Sequence, residues 1–391
     1  MRNILVIAPT PFFADRGCHV RILGEVKALK EMGYSVKICT YHIGQEIDGI
    51  ETVRIPNIPW YRKLSAGPSI HKFYLDLLLL WKVLITCKTF SPDIIHAHLH
   101  EGMMIGRIAS MVYRCPMVAD LQGSLTEEVL DHHFIPQWRW LVQSVRWIEG
   151  RINRMPKRLI ASSTQTTQLV RERFGVKNDV IDTICDGVDL DVFFPREQDL
   201  ALRSSLGISP DDRVVVFIGV LTPYQGIDIL LDSIVLITQH ISNVKFLIIG
   251  FPEGEYRKKA KMMGIEKETI FAGKIPYTDS ARYLALGTLA VSPKISVSEA
   301  NLKLYVYMAM GLPTVVFDNP VNREILGELG EYAKDRDAES LEQSLVKLLK
   351  DDQLATKLGE QCYQRAATCY SWRVVGDRLA EVYQKAICAD G

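Results

Sequence analysis

The sequence has no closely spaced pair of cysteines. Its eight cysteines are scattered singly, at Cys18, Cys39, Cys87, Cys115, Cys185, Cys362, Cys369 and Cys388. Structural zinc sites draw on cysteines only a few residues apart, so this spacing argues against one. The N-terminus leads directly into an apolar strand rather than into the charged and then apolar pattern of an export signal. Single cysteines without that signal are typical of the reducing cytoplasm, where we expect the protein to reside.

Net charge is also lacking. The chain carries 46 lysines and arginines against 46 aspartates and glutamates, so its formal net charge is zero. A chain without excess positive charge has no overall attraction for nucleic acid. We therefore expect no nucleic-acid partner.

A long hydrophobic run is missing too. The most apolar stretch is LDLLLLWKVLITC, at 75–87, and Lys82 interrupts it. It is shorter than the roughly 20 residues that a membrane-spanning helix needs. The stretch predicts a helix buried in the protein.

Two glycine motifs of nucleotide-binding proteins do not occur. Neither G-x-G-x-x-G nor G-x-x-x-x-G-K-[ST] is present anywhere in the chain. This weakens the hypotheses of a two-domain dehydrogenase and of a P-loop enzyme.

What the chain does have is a regular alternation of apolar strands and amphipathic helices. Tandem βα units of this kind predict an α/β protein with doubly wound parallel sheets. At 391 residues the chain is too long for one ordinary core. The segment CDGVDLDVFFP, at 185–195, is the expected boundary. We predict Rossmann-like domains at 1–187 and 188–371 that face one another across a cleft, with a last helix, 372–391, that packs back on the first domain.

The most informative segment is SPKISVSEANLKLYVYMAMGLPTVV, at 292–316. It places Glu299, Asn301 and Lys303 between the carboxyl end of a strand and the start of a helix. Ligands bind at this position in open α/β sheets, and a helix N-terminus favours anions. The segment predicts a site for a phosphate-bearing ligand.

A second turn, GVLTPYQGID at 219–228, also lies between a strand and a helix. Gly226 would let the backbone approach a ligand closely. An ordinary tight turn explains the same pattern equally well.

The loop PTPFFADRGCH, at 9–19, follows the first strand and offers Arg16, Gly17 and His19 to a ligand. A surface loop with a hydrogen-bonded histidine is the equal alternative. His96, His98 and His100 alternate along a strand, but the carboxylates near them in sequence are Asp93 and Glu101, at its two ends. A metal site is therefore disfavoured there, as it is at the turn-like Asp189-Leu190-Asp191. His100, beyond the strand, is better placed to line a ligand cleft.

The stretch WRWLVQSVRWIEGRINRMPKR, at 138–158, is basic and aromatic. A helix of this composition suits the surface of an anionic membrane. The alternative is a helix whose aromatic face is buried and whose basic face is solvated. The first interpretation gives the hypothesis that the protein contacts the inner face of the membrane peripherally.

Several segments together resemble glycosyltransferase family 4, whose members have the GT-B fold. The similar segments are the opening NILVIAPTPFF and RGCHVRILGEV, the strand PDIIHAHLHEG, the linker CDGVDLDVFFP, the turn FIGVLTPYQGIDILLDSI, the helix LKLYVYMAMGLPTVV and the final YSWRVVGDRLAEVY. The resemblance implies a retaining transferase without a catalytic metal or other cofactor. The donor, a UDP- or GDP-linked sugar, would bind the C-terminal domain. A glycan, lipid-linked or small-molecule acceptor would bind the N-terminal one.

The resemblance also implies roles for particular residues. Lys303 would neutralise the diphosphate, Glu299 would contact the sugar hydroxyls and Gln122 would act beside the acceptor. The full donor set is Gly17, Gln225, Gly226, Lys274, Asn301, Leu302 and Lys303, and the acceptor set is Arg16, His19, His100, Asp120 and Gln122. Glu299, Lys303 and Gln122 are the catalytic candidates.

The chain departs from the family pattern at charged positions. Val220 stands where the family has a phosphate-binding arginine, and Gln225 where it has a lysine. Val306 replaces a glutamate that holds the donor ribose, and Gln122 replaces a histidine. These changes keep open a second hypothesis, a catalytically degenerate GT-B subunit that supports a partner enzyme.

Overall fold

A computed structural model describes residues 2–14, 17–64, 69–131, 136, 138–295 and 301–388. Arg16 and Glu299, both predicted at the site, lie outside these residues. The chain forms two compact units. Met1–Gly187 and Trp372–Gly391 belong to the first unit, and Val188–Val297 and Asn301–Ser371 to the second.

The first unit contains a seven-stranded parallel sheet. Its strand order is β3-β2-β1-β4-β5-β6-β7. The strands are β1 (Asn3–Ala8), β2 (Ser35–Thr40), β3 (Glu51–Arg54), β4 (Ile94–His98), β5 (Met117–Leu121), β6 (Arg158–Ala161) and β7 (Ile181–Thr183). The direction of winding reverses between β1 and β4, so the loops after these two strands meet at the carboxyl edge.

Helices cover both faces of this sheet. They are α1 (Gly17–Glu31), α2 (Lys72–Phe90), α3 (Leu99–Tyr113), α4 (Leu125–Asp131), α5 (Arg139–Ile152) and α6 (Thr164–Phe174), followed at the end of the chain by α15 (Trp372–Cys388). The last helix packs on α1. Gly24 makes the fit possible, because a Cβ there would collide with the indole of Trp372. The Tyr383 hydroxyl, also on α15, lies 2.7 Å from His96 Nδ1.

The second unit contains a six-stranded parallel sheet with the order β10-β9-β8-β11-β12-β13. Its strands are β8 (Arg213–Ile218), β9 (Val244–Ile249), β10 (Thr269–Gly273), β11 (Leu289–Ser292), β12 (Thr314–Phe317) and β13 (Gly330–Ala333). Its helices are α7 (Leu200–Ser205), α8 (Ile227–Ile237), α9 (Gly254–Met262), α10 (Tyr277–Leu284), α11 (Leu302–Ala309), α12 (Pro320–Leu326), α13 (Ala338–Lys350) and α14 (Asp352–Cys369). The winding reverses between β8 and β11.

The prediction of two doubly wound α/β sheets is confirmed, and two interpretations need correction. The run at 75–87 forms a helix, but only its Leu75, Leu79, Val83 and Cys87 face is buried, while Leu77 and Trp81 on the other face are exposed. The helix expected over 138–158 ends at Ile152, and Arg158 begins β6 instead. None of the described helices is both long and apolar enough to cross a membrane.

Candidate functional site

Two segments of the second unit meet where its sheet reverses. The turn after β8 carries Gln225, and the segment after β11 leads to Lys303 in the first turn of α11. The Lys303 ammonium donates a 2.6 Å hydrogen bond to Gln225 Oε1 and lies 4.3 Å from the ring centroid of Phe217. Within the described residues, no carboxylate forms an ion pair with Lys303. A half-buried cation at a helix N-terminus without a counter-ion is suited to an anionic ligand.

The surroundings of Lys303 disfavour its charged form. Burial holds the pKa of Lys303 well below its ordinary value, and repulsion from Lys294 lowers it further. A bound diphosphate would raise the pKa of Lys303 again, because a nearby negative charge stabilises the ammonium.

Gly219 and Tyr307 were not predicted at this site, yet both shape it. Gly219 has φ +153°, and a Cβ there would lie 3.0 Å from Lys303 Nζ, so the glycine leaves room for the ammonium. Tyr307 lies one helical turn after Lys303. Its hydroxyl accepts a 2.8 Å hydrogen bond from Ile218 N and lies 3.3 Å from the Val291 carbonyl oxygen. Tyr307 thus fixes α11 against the ends of β8 and β11. In the sequence it follows Lys303 by four residues, and this spacing indicates that the two residues lie on the same side of a helix.

Gly226 has a structural explanation. Its φ is +75°, and a Cβ there would collide with the Pro293 carbonyl. Ile295 N donates a 2.9 Å hydrogen bond to the Tyr224 carbonyl nearby. The close approach that Gly226 permits is therefore between two segments of the protein, which favours the tight-turn alternative.

The remaining predicted donor residues differ in their surroundings. Asn301 is buried, and its amide donates 3.1 Å hydrogen bonds to Ser292 Oγ and to Asn322 Oδ1. It thus anchors the start of α11. Leu302, next to it, is half-buried. Lys274 follows the edge strand β10, is exposed, and lies 5.5 Å from the Phe251 ring centroid rather than against Gln225.

A buried ion-pair network occupies the carboxyl edge of the first unit's sheet. Arg21, on α1, contacts Asp120 Oδ2 at 2.6 Å, Asp186 Oδ1 at 2.8 Å and Glu25 Oε1 at 3.0 Å. Burial alone would lower the pKa of Arg21, but the three carboxylates raise it well above its ordinary value. Burial would likewise raise the pKa of Asp120, yet Arg21 and His98 hold it below its usual range.

Glu25 behaves differently from its neighbours. Burial and the negative charge of Asp120 raise the pKa of Glu25 well above its ordinary value, and Arg21 only partly opposes them. The charged form of Glu25 is thus disfavoured, whereas the charged form of Asp120 is favoured.

The carboxylates nearest His96 and His98 are not the ones that the sequence indicated. Candidate ligand atoms of Glu25, His96, His98 and Asp120 all lie within 4.8 Å of one another. The carboxylates expected near the histidines were Asp93 and Glu101, yet the fold brings Glu25 and Asp120 closer. Arg21 already supplies positive charge to both of these, so we interpret the cluster as an ion-pair network rather than a metal centre.

Most of the predicted acceptor residues that the structure describes are buried. His19 is fully buried; its Nδ1 accepts a 2.9 Å hydrogen bond from Ala14 N, and its Nε2 lies 2.6 Å from Thr10 Oγ1. This matches the hydrogen-bonded-histidine alternative. His100 is buried in the first turn of α3, with Nε2 3.8 Å from Glu149 Oε1. The prediction that His100 lines a ligand cleft stays a prediction.

Gln122 and Gly17 lie near the ends of strands of the first sheet, and their roles at a ligand site stay predictions. Gln122 follows β5, is half-buried, and its amide nitrogen lies 3.3 Å from His98 Nδ1. Gly17 is the first residue of α1, in the region that follows β1, and is exposed. Both lie at the carboxyl edge of the first sheet.

Comparison with known families agrees with this architecture. A model described as "Glycosyl transferase 4-like domain" matches residues 16–187, and one described as "Glycosyl transferases group 1" matches residues 212–351. Together the two matches span most of both units.

Individual relatives are distant but cover the chain almost completely. D-inositol 3-phosphate glycosyltransferase of Corynebacterium glutamicum is 23% identical, over 95% of this chain and 92% of its own. Sulfoquinovosyl transferase SQD2 of Arabidopsis thaliana is 24% identical, over 99% of this chain and 74% of its own.

Solved structures share the fold. Sucrose-phosphate synthase from Thermosynechococcus elongatus has a TM-score of 0.81 and 17% identity, and the match covers 100% of both chains. Anabaena HepE in complex with UDP has a TM-score of 0.77 and 19% identity, over 98% of this chain and 100% of its own. The two parallel sheets, the family matches and these relatives agree, and the chain belongs to the family-4-type glycosyltransferases of GT-B fold.

Proposed function

We propose that the protein is a retaining glycosyltransferase that uses a nucleotide diphosphate sugar and no catalytic metal. The second unit would bind the donor and the first unit the acceptor. UDP-sugars are the first candidates, because HepE has been crystallised with UDP and UDP-glucose, and GDP-sugars are the alternative. The acceptor would be a glycan, a lipid-linked molecule or a small molecule, consistent with synthesis of cell-surface polysaccharide or glycoconjugates by a cytoplasmic enzyme.

The observation that carries the proposal is the position of Lys303. When the bond between the sugar and the diphosphate breaks, the diphosphate departs with the bonding electrons and gains negative charge. A preorganised cation stabilises such charge as it develops. Lys303 lies in the first turn of α11 and donates a hydrogen bond to Gln225. This chain has Val220 and Gln225 where the family pattern has an arginine and a lysine.

Other members of the predicted site keep narrower roles in this proposal. Glu299 would hold sugar hydroxyls, and Gln122 would face the acceptor from the end of β5. Val306 is buried in α11, so a ribose contact would have to come from elsewhere.

A thermal-shift screen of the pure protein against UDP, GDP and nucleotide sugars tests the donor site. A ligand at about 100 times its dissociation constant stabilises the folded protein by about 2.7 kcal/mol, which is readily measured. Stabilisation by one nucleotide series supports the proposal. Absence of stabilisation by any nucleotide would favour the alternative, a catalytically degenerate scaffold subunit. Such a subunit would bind no nucleotide because Val220 and Val306 replace the arginine and glutamate of the family pattern.

A further inference from the structure

The exposed face of α2 is apolar along its length. Phe73, Leu77, Trp81 and Ile85 follow one another at four-residue spacing, with exposed fractions of 76%, 55%, 51% and 43%. Four-residue spacing places them in one row on the helix surface. A row of large apolar side chains in water is characteristic of an interaction surface.

The neighbouring helix extends this surface. Met104, Ile108, Met111 and Val112 are exposed on α3. The Tyr113 hydroxyl of α3 donates a 2.8 Å hydrogen bond to the Leu84 carbonyl of α2, which joins the helices beside Ile85 and Val112. We call these exposed apolar side chains of α2 and α3 the apolar face.

The charges around the apolar face are positive. Lys88 of α2 and Arg107 of α3 are exposed, and so is Arg114 directly after α3. The acidic side chains of α2 and α3 are engaged elsewhere, since Asp76 accepts a 2.6 Å hydrogen bond from Tyr41 and Glu101 pairs with Lys72 at 2.6 Å. The apolar face therefore has a basic border and no exposed acid on its own two helices.

A pocket of about 350 Å³ connects the apolar face to α5. It is lined by Arg107, Arg151, Arg154 and Met155. Arg154 is fixed by a 2.9 Å hydrogen bond from its Nε to the Phe174 carbonyl oxygen. Among the described residues that line the pocket, three are arginines and none is a carboxylate, so the pocket is suited to an anion. Planar guanidinium groups bind phosphate with paired hydrogen bonds.

The aromatic residues of α5 lie on its exposed side. Trp140 and Trp147 are 62% and 68% exposed. The alternative of a buried aromatic face on this helix is therefore wrong. Exposed tryptophans beside arginines are typical of helices that lie in the interface of a lipid bilayer.

From these observations we propose that α2, α3 and α5 together dock the first unit on an anionic lipid bilayer, and that the three-arginine pocket binds a lipid phosphate. The apolar face enters the boundary between headgroups and acyl chains, while Arg107, Arg151 and Arg154 hold the phosphate. A second copy fits this surface poorly, because self-association would bring two arginine-rich faces together. The docking is independent of donor chemistry.

Vesicle sedimentation tests the proposal. The full-length protein is mixed with vesicles of phosphatidylcholine alone or with phosphatidylglycerol added, at low and high salt. We expect sedimentation with the anionic vesicles, weakened by salt. Each pocket arginine should contribute about fivefold in affinity, from about 1 kcal/mol per basic residue near the surface. The double variant Arg107→Ala with Arg151→Ala should therefore bind about 25-fold more weakly.

Matched controls separate this surface from charge in general. Arg173→Ala removes an exposed arginine of α6 and should leave vesicle binding unchanged. Trp81→Ser with Leu77→Ser removes apolar side chains without changing charge, and should weaken binding to anionic vesicles while keeping the wild-type melting temperature. Nucleotide-induced thermal shifts should be the same in all these proteins, so a failed donor site and a failed membrane site give different results.

Three results would overturn the proposal. The first is that the protein does not bind anionic vesicles. The second is that it binds neutral vesicles as well as anionic ones. The third is that Arg173→Ala loses as much binding as the double variant of the pocket arginines. A concentration-dependent dimer in analytical ultracentrifugation, dissociated by the Trp81→Ser with Leu77→Ser variant, would assign the apolar face to a second copy instead.

Discussion

Gln225 accepts a 2.6 Å hydrogen bond from the ammonium of Lys303. Gln225, which replaces a lysine of the family pattern, thus positions Lys303, which comes from the connection between β11 and α11. A lysine side chain is therefore present at this position, although Val220 and Gln225 replace the arginine and lysine of the family pattern.

Removing that charge should impair nucleotide binding. Replacing Lys303 with Met deletes a charge-assisted hydrogen bond, worth about 1.5–3 kcal/mol, so we expect roughly ten- to hundredfold weaker binding of the preferred nucleoside diphosphate by calorimetry. Lys258→Ala, which removes an exposed lysine of α9, is the matched control and should bind normally. Unchanged affinity in Lys303→Met would remove Lys303 from the site.

The same variant should be more stable than the wild type. Because the folded state lowers the pKa of Lys303, the unfolded chain binds more protons between the lowered pKa and the ordinary value of about 10.4. Stability should therefore rise with pH across that window in the wild type, and Lys303→Met should melt at a higher temperature at neutral pH. A lower melting temperature would show that the charge of Lys303 stabilises the fold.

Nucleotide binding should be coupled to proton uptake. An anionic ligand raises the pKa of Lys303 towards its ordinary value, so protons are taken up wherever the free protein holds Lys303 partly neutral. Calorimetric enthalpies measured at alkaline pH should then vary with the ionisation enthalpy of the buffer, and this variation should disappear in Lys303→Met. Equal buffer dependence in both proteins would assign the proton to another group.

Members of the buried network of the first unit should differ in their tolerance to substitution. Arg21→Met leaves Asp120 and Asp186 without their cation, and breaking buried pairs costs about 3–5 kcal/mol. We expect a large fall in melting temperature or loss of soluble protein. Arg173→Ala, which breaks an exposed pair with Glu127, should cost no more than about 1 kcal/mol.

Glu25→Gln should be tolerated, because burial and Asp120 disfavour the charged form of Glu25, and glutamine is a neutral side chain of the same shape. The raised pKa of Glu25 means that its contribution to stability is present at pH values below about 4.3 and is lost as pH rises through the raised folded value. The stability difference between Glu25→Gln and the wild type should therefore grow in favour of the variant at alkaline pH. A variant that loses stability steadily with rising pH relative to the wild type would show that Glu25 is charged in the fold.

The sequence predicts the two sheets well because each strand is a short apolar run beside an amphipathic helix. It also predicts the Lys303 region, where polar residues follow β11 within one segment. It does not predict the network around Arg21, because Asp120 and Asp186 are 99 and 165 residues away along the chain. Such contacts depend on which strands become neighbours. The sequence does not show which face of α2 is exposed, because apolar residues occur all around this helix. The buried Leu75 and Leu79 and the exposed Phe73 and Trp81 are all apolar.

The proposed role of Lys303 in sugar transfer is tested most directly by incubating the pure protein with UDP- and GDP-sugars and measuring release of the nucleoside diphosphate. We expect slow hydrolysis of one donor by the wild type, with retained configuration at the anomeric carbon of the released sugar, and a large loss of turnover in Lys303→Met but not in Lys258→Ala. Equal turnover in Lys303→Met and the wild type would show that Lys303 does not stabilise the leaving diphosphate.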